Sequence, residues 1–121
     1  MTTSGTAPRL LVVEDEYLIR MLLEDMLDEL GYAVTVAVGS IAEASEHATS
    51  GTFDCAILDV NVDGEEIFPV AEILAGRGLP FVFVTGYGEG SLPARFRDRP
   101  ALQKPFQTER LKATLDKLLT A

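Results

Sequence analysis

The chain has one cysteine, one histidine and no apolar run approaching the roughly 20 residues that a membrane helix needs. A lone thiol, Cys55, excludes an internal disulfide and a cysteine-based zinc site. It lies inside an apolar run, so an inert buried thiol is its expected state. Basic residues are scarce, with 10 Lys and Arg against 19 Asp and Glu and a formal net charge of −9. Nucleic-acid binding draws on clustered cations that neutralise phosphates, and this balance argues against it. The one tight basic cluster, Arg95, Arg97 and Arg99, is interrupted by Asp98 and reads as a solvated loop face. Met1 to Pro8 lack the charged-then-apolar order of a signal peptide and read as a flexible leader. The expected location is the cytoplasm, with no membrane contact. The 121 residues fit one domain, expected over residues 9–121, with no repeat, low-complexity tract or linker.

What is present alternates. Apolar runs at Arg9 to Val13, Ala33 to Val38, Phe53 to Leu58, Phe81 to Val84 and near Leu102 read as strands. Between them lie helical patterns. The strongest, Tyr17 to Leu30, repeats Leu18, Ile19, Leu22, Leu23, Met26, Leu27 and Leu30 at 3-4 spacing, and Gly31 suits its C-terminal cap. Ser40 to Glu43 has capping-box spacing and opens a helix to about Thr49, stopped by Gly51. Asn61 to Gly64 is a turn. Pro69 favours a helix start near Phe68, ending around Gly76 to Gly78. The last helix spans about Thr108 to Leu119, with Leu111, Leu115, Leu118 and Leu119 as its buried stripe. The stretch from Gly86 to Pro100 is poor in helix formers, so a helix there is short and marginal. His47 reads as a surface residue, and Tyr17, Tyr32 and Phe106 as packing residues.

Strands alternating with helices predict an α/β three-layer sandwich of the flavodoxin-like kind. Its five-stranded parallel sheet has order 2-1-3-4-5, with about five helices. Ligands in such sheets bind beyond the carboxyl ends of the strands. There the first, third, fourth and fifth strands, neighbours in that order, end in Glu14-Asp15, Asp59, Thr85 and Lys104. Taken singly each residue has a plainer reading: a dipole-matched acidic pair, a turn aspartate, turn chemistry, a solvated lysine. Four such residues at four strand ends point to one chemistry. Crowded carboxylates call for a hard cation such as Mg²⁺, bound by Glu14, Asp15, Asp59 and the backbone carbonyl of Asn61. Asp59 is then a phosphoryl acceptor, with Lys104 and Thr85 donating to phosphoryl oxygens.

The segments LLVVEDE, AILDV, FVTG and QKPF, covering Arg9 to Leu119, resemble the receiver domain of bacterial two-component response regulators. The resemblance implies Glu14 and Asp15 as the acidic pair, Asp59 as phosphoacceptor, Thr85 as switch hydroxyl and a cis peptide bond between Lys104 and Pro105. It implies a histidine kinase or phosphotransferase as donor and Mg²⁺ as cofactor, in a signalling domain rather than an enzyme. Three departures stand out. Ala101 occupies the position of the family's usual aromatic switch. The loop Val60 to Gly64 is short and lacks the common proline. Phe83-Val84-Thr85-Gly86-Tyr87-Gly88 is glycine-rich. Together they resemble the stand-alone receivers with a Phe-x-Thr-Gly signature, which lack that switch and often accompany kinases of the alphaproteobacterial type. With no output domain expected, the signal leaves through a downstream protein or the domain serves as a phosphate sink. Phosphorylation is expected to order Gly86 to Pro100, with Tyr87 in the missing aromatic's role. The expected partner face is this segment with the fifth strand and last helix, including Phe96 and Phe106. The alternatives are a phosphatase of the haloacid-dehalogenase type and a receiver-like scaffold that is never phosphorylated.

Overall fold

A computed structural model of the chain describes residues 7–86 and 92–120. The first half runs β1 (Arg9–Val13), α1 (Tyr17–Glu29), β2 (Ala33–Val38), α2 (Ile41–Ser50) and β3 (Cys55–Asp59). A two-residue pair follows, β4 (Asn61–Val62) and β5 (Glu65–Glu66), then α3 (Phe68–Gly76) and β6 (Phe81–Thr85). A 3-10 turn (Ala94–Phe96), β7 (Ala101–Gln103) and α4 (Thr108–Thr120) complete it. The main sheet is parallel, in order β2-β1-β3-β6-β7, which is the predicted flavodoxin-like topology. Among the described residues there are four α-helices rather than five. In the stretch where a short, marginal helix was expected, the described residues 92–100 carry a 3-10 turn after Pro93.

Alternation along the strands makes the three layers. Leu10 and Val12 of β1, Ile57 of β3 and Val82 and Val84 of β6 pack with Leu23 and Leu27 of α1 and Leu111 and Leu115 of α4. Leu11, Val13, Leu58, Phe81 and Phe83 face the other way, onto Ala44 and Ala48 of α2 and Ala71 and Leu74 of α3. Cys55 is fully buried on the α1/α4 side. Burial pushes its thiol up to about 12 and Asp54 adds to the rise, against a backbone hydrogen bond at Ala56 that lowers it. The inert thiol expected from sequence is what the fold contains.

Local chemistry sets the ends. At α1, Gly31 takes φ +91°, its N–H reaches the Asp28 carbonyl at 3.1 Å and the Tyr32 N–H reaches Leu27 at 2.9 Å. That is a Schellman cap, and a Cβ would strain it. Ser40 caps α2 by accepting from the Glu43 N–H at 3.2 Å, while its hydroxyl donates to the Glu43 carboxylate at 3.1 Å. Asp63 and Gly64 both have positive φ, 52° and 81°, as a tight two-residue hairpin turn requires, so the expected turn closes β4 onto β5. The Asp59 end also differs from expectation. The β3 strand starts two residues later and continues through Asp59, because Asp59 pairs with Val84 in the ladder.

Two expectations fail. The apolar stripe of α1 is only partly covered: Leu23 and Leu27 are buried, but Leu18 is 79% and Leu22 54% exposed, and Tyr17 is 63% exposed rather than packed. Phe96 is not a surface residue. It is 3% exposed and lies against Phe68, Phe81 and Phe83 at 5.5–6.0 Å between ring centroids. Leu92 is buried beside it, so the stretch 92–96 is better anchored than its composition suggests. Tyr87 and the leader residues Met1 to Thr6 lie outside the described residues. Among the described residues no helix is long and apolar enough to cross a membrane.

The contrast along α1 is testable. Leu27→Ala should lower unfolding free energy by about 2–5 kcal/mol in urea titration, and Leu18→Ala by about 0.5 kcal/mol or less. Equal losses at both positions would contradict this orientation of the helix.

Candidate functional site

All four predicted strand ends arrive at one edge. Glu14 follows β1 directly and is 1% exposed; Asp59 ends β3 at 7%; Thr85 ends β6 at 2%. Lys104 follows β7, and its backbone N–H donates to the Thr85 carbonyl at 2.8 Å, holding the last strand end against its neighbour. The Lys104–Pro105 peptide is cis, as the resemblance implied. Each residue is there because a buried parallel strand, apolar on both faces, ends in a polar one.

The ammonium of Lys104 lies 3.1 Å from Glu14 Oε1 and 3.1 Å from Asp59 Oδ2. Glu14 Oε2 accepts the Glu16 N–H at 3.0 Å. Asp15 Oδ2 accepts the Asp63 N–H at 2.9 Å, which ties the acidic pair to the β4–β5 hairpin. The Asn61 N–H lies 3.4 Å from Asp59 Oδ1, a long contact on the hairpin's first strand. Carboxylate oxygens of Glu14, Asp15 and Asp59 lie within 4.8 Å of one another.

The electrostatics follow from that crowding. Burial pushes the Glu14 carboxyl from 4.5 up to about 7; the Asp59 charge adds to the rise, while the Glu16 N–H and Lys104 oppose it. Burial also acts to raise Asp15, but hydrogen bonds from the Asp63 N–H and from Glu14 outweigh it and hold that carboxyl low. Desolvation acts against the Lys104 ammonium, yet Asp59 and Glu14 keep its pKa raised. Of the acidic pair, Glu14 therefore holds its proton to higher pH and Asp15 gives its proton up first.

A hard divalent cation fits this donor set. Such an ion takes oxygen donors, and the three carboxylates, already within 4.8 Å of one another, are donors of that kind. Glu14, Asp15 and Asp59 offer oxygens with unused lone pairs, and Lys104 can swing aside because its stem is flexible.

One participant does not stand out in the sequence. Arg20, on the polar side of α1, donates from Nη1 to the Glu14 carbonyl oxygen at 3.2 Å. It rests 5.7 Å from the Tyr17 ring centroid and passes under Gly39, where a Cβ would come within 2.7 Å of Nη1. Gly39 therefore leaves room for the side chain that fixes the Glu14 peptide. The signal in sequence is the six-residue step from Glu14 to Arg20, which returns the side chain to the start of α1.

The sequence matches the response regulator receiver domain over residues 10–116. The chain belongs to that family. Membership removes the haloacid-dehalogenase reading. This receiver domain is 47% identical to SdrG from Sphingomonas melonis Fr1. The solution structure of SdrG superposes with a TM-score of 0.83, covering 97% of this chain and 99% of that one. A BeF3-activated conformation of SdrG, from Pseudomonas melonis Fr1, matches at 47% identity and TM-score 0.80 over 94% of this chain and 98% of that one. The transcriptional regulatory protein PdtaR of Mycobacterium tuberculosis is 39% identical over 81% of this chain and 50% of PdtaR. The chain thus spans about half the length of the first curated relatives it matches. The receiver domain of sensor histidine kinase PA1611 from Pseudomonas aeruginosa PAO1 shares the fold. It is 22% identical with TM-score 0.82 over 96% of this chain and all of that one, and its structure carries magnesium in the active site cleft.

The raised Glu14 pKa gives a signed pH dependence for the metal-free receiver domain. An acid raised on folding contributes stability below its unfolded value near 4.5, and loses that contribution as pH climbs through about 7. The thermal midpoint of metal-free protein should therefore fall between pH 5 and pH 7.5 more steeply than that of Glu14→Gln (about these limits, from the carboxylate reference range). Parallel curves for the two proteins would contradict the assignment.

Proposed function

We propose that this receiver domain accepts a phosphoryl group on Asp59 from a histidine kinase or histidine phosphotransferase. Mg²⁺ is held by Glu14, Asp15, Asp59 and the Asn61 carbonyl. The observation that carries the reading is the Lys104 ammonium bridging Glu14 and Asp59, with the Asp15 carboxylate alongside. A structural ion pair needs one carboxylate; a phosphoryl site needs several anions and a movable cation. The BeF3-activated form of SdrG supports it, because that adduct mimics a phosphoryl group on a close relative.

In the transfer, an Asp59 oxygen attacks phosphorus in line with the phosphorus–nitrogen bond of a phosphohistidine. The new oxygen–phosphorus bond forms as the old bond breaks, and the bonding pair leaves with the imidazole nitrogen. Lys104 follows the charge from Asp59 onto a phosphoryl oxygen, and the Thr85 hydroxyl donates to another. Bound Mg²⁺ supplies neutralisation of the incoming charge. The ionised Glu14 carboxylate shares the Lys104 ammonium with Asp59, so the ammonium is not committed to the nucleophile alone. Arg20 and the Asp63 N–H keep the acidic pair in position. The domain acts in the cytoplasm as a signalling module, not as an enzyme on a small molecule. Its output is contact with a downstream protein or drainage of phosphate.

Labelling by a panel of radiolabelled histidine kinases tests the reading. Label should appear on the wild type, vanish with Asp59→Asn and be suppressed by EDTA. Label that persists on the Asn variant sinks the acceptor assignment, and no label from any donor favours the unphosphorylated scaffold.

Mg²⁺ should also raise the thermal midpoint, as a native-state ligand does. Asp15→Asn should weaken Mg²⁺ binding without stabilising the metal-free protein, because the folded site already favours the ionised Asp15 carboxylate. Unchanged melting and unchanged amide shifts on Mg²⁺ titration would rule out the metal site.

A further inference from the structure

Two residues near the acidic pair lack the usual reasons for standing where they do. Arg20 lies in the opening turn of α1, where the helix dipole disfavours a cation, and that turn carries no acidic residue to offset it. None of the five ion pairs among the described residues includes Arg20, in a chain with 19 acidic side chains. Gly39 directly follows β2. It does not share the positive φ of Gly31, Gly64 and Gly78, so its backbone does not call for glycine.

Each of the two accounts for the other. Helical side chains lean toward the N-terminus, so Arg20 reaches back past the start of α1. There Nη1 donates to the Glu14 carbonyl at 3.2 Å, and the guanidinium carbon lies 5.7 Å from the Tyr17 ring centroid. That carbonyl lies past the end of β1 and before the Glu16 carbonyl, which accepts the Arg20 backbone N–H at 2.9 Å. The Glu14 N–H donates to the Val38 carbonyl of β2 at 3.0 Å. Glu14 is therefore held by both its backbone groups, from β2 on one side and α1 on the other. A Cβ on Gly39 would come within 2.7 Å of Arg20 Nη1, but would stay 3.6 Å from the Asp15 Cα and the Glu14 carbonyl oxygen. What stands in its way is the end of a flexible side chain, not the backbone. The bare Cα of Gly39 thus keeps a slot for the guanidinium. Through that slot β2, the strand that brings no side chain to the site, bears on the acidic pair.

We propose that Arg20 and Gly39 form a positioning pair that sets Mg²⁺ affinity. Gly39 admits the guanidinium, and the guanidinium fixes the peptide from which Glu14 and Asp15 extend toward the cation. The inference rests on the Mg²⁺ reading of the carboxylate site and adds two residues that do not hold the ion themselves. Groups that orient metal ligands from behind cost about 10–100-fold in affinity when they are removed. Charge alone predicts the opposite sign, because a guanidinium near the site repels a dication. The direction of the change therefore separates positioning from through-space repulsion.

Mg²⁺ titration of the full, unphosphorylated chain, followed by amide shifts, supplies the dissociation constants. Arg20→Ala should weaken binding by roughly tenfold, although it removes a positive charge. Gly39→Ala, which keeps every charge, should weaken it by a similar factor. In the Arg20→Ala background Gly39→Ala should add nothing, since the slot then has no occupant. Gly31→Ala, at the far end of α1, serves as the stability control. It strains a backbone at φ +91° and should lower the thermal midpoint while leaving Mg²⁺ affinity unchanged. The proposal is overturned by unchanged or tighter binding in Arg20→Ala, by unchanged binding in Gly39→Ala, or by additive losses in the double variant. It is equally overturned if Gly31→Ala weakens Mg²⁺ binding as much as Gly39→Ala does. No Mg²⁺ binding by the wild type removes the metal reading and this inference with it; wild-type binding with unaffected variants removes this inference alone.

Discussion

Three carboxylates crowd around one ammonium that pairs with only two of them, and the rest of the site is arranged around that shortage. Lys104 reaches Glu14 and Asp59 at equal distance, while Asp15 is left to the Asp63 N–H. In a pocket where Glu14 and Asp59 are nearly inaccessible, a lone pair of charges would be a costly and static feature. With a surplus of negative charge the site is unsatisfied as it stands, and it gains from any further cation. Glu14 relieves part of the strain by keeping its proton to higher pH. A second cation bound by these carboxylates would displace that proton to solvent and compete with Lys104 for them.

The sheet makes this crowding tolerable. Strands β1, β3, β6 and β7 are neighbours, so their ends cannot drift apart without breaking parallel ladders. The Lys104 N–H to Thr85 carbonyl bond extends that control one residue past the β7 strand. Arg20 pins the Glu14 carbonyl from the helix side, and the β4–β5 hairpin holds Asp15 from the other. Repulsion among the carboxylates is thus opposed by backbone that is itself anchored in two apolar layers.

Those features differ in how openly the sequence displays them. Buried strands read easily, because an uninterrupted apolar run as short as Ala56-Ile57-Leu58 suits a strand covered on both faces, and its polar terminus Asp59 stands out. Glycine at Gly31 and Gly64 marks positive φ with little ambiguity. The α1 stripe is harder. Periodicity places Leu18 and Leu22 on the apolar side but says nothing of where the covering sheet stops. The first turn of α1 follows directly on the end of β1, with little beneath Leu18. Phe96 escapes for a related reason: an isolated aromatic among arginines has no period, and its contacts with Phe68, Phe81 and Phe83 exist only in three dimensions. Arg20 is hidden among the ordinary polar residues of an amphipathic helix, since its partner is a backbone carbonyl.

The central claim is chemical: the carboxylate that shares Lys104 with Glu14 is the one that becomes an acyl phosphate. Borohydride reduces an aspartyl phosphate to homoserine and leaves free carboxylates untouched. The protein should be phosphorylated in Mg²⁺, reduced, digested and sequenced by mass spectrometry. Homoserine at position 59, and at no other aspartate, is the result this account predicts. Homoserine at Asp15 or Asp63 with Asp59 intact would contradict it.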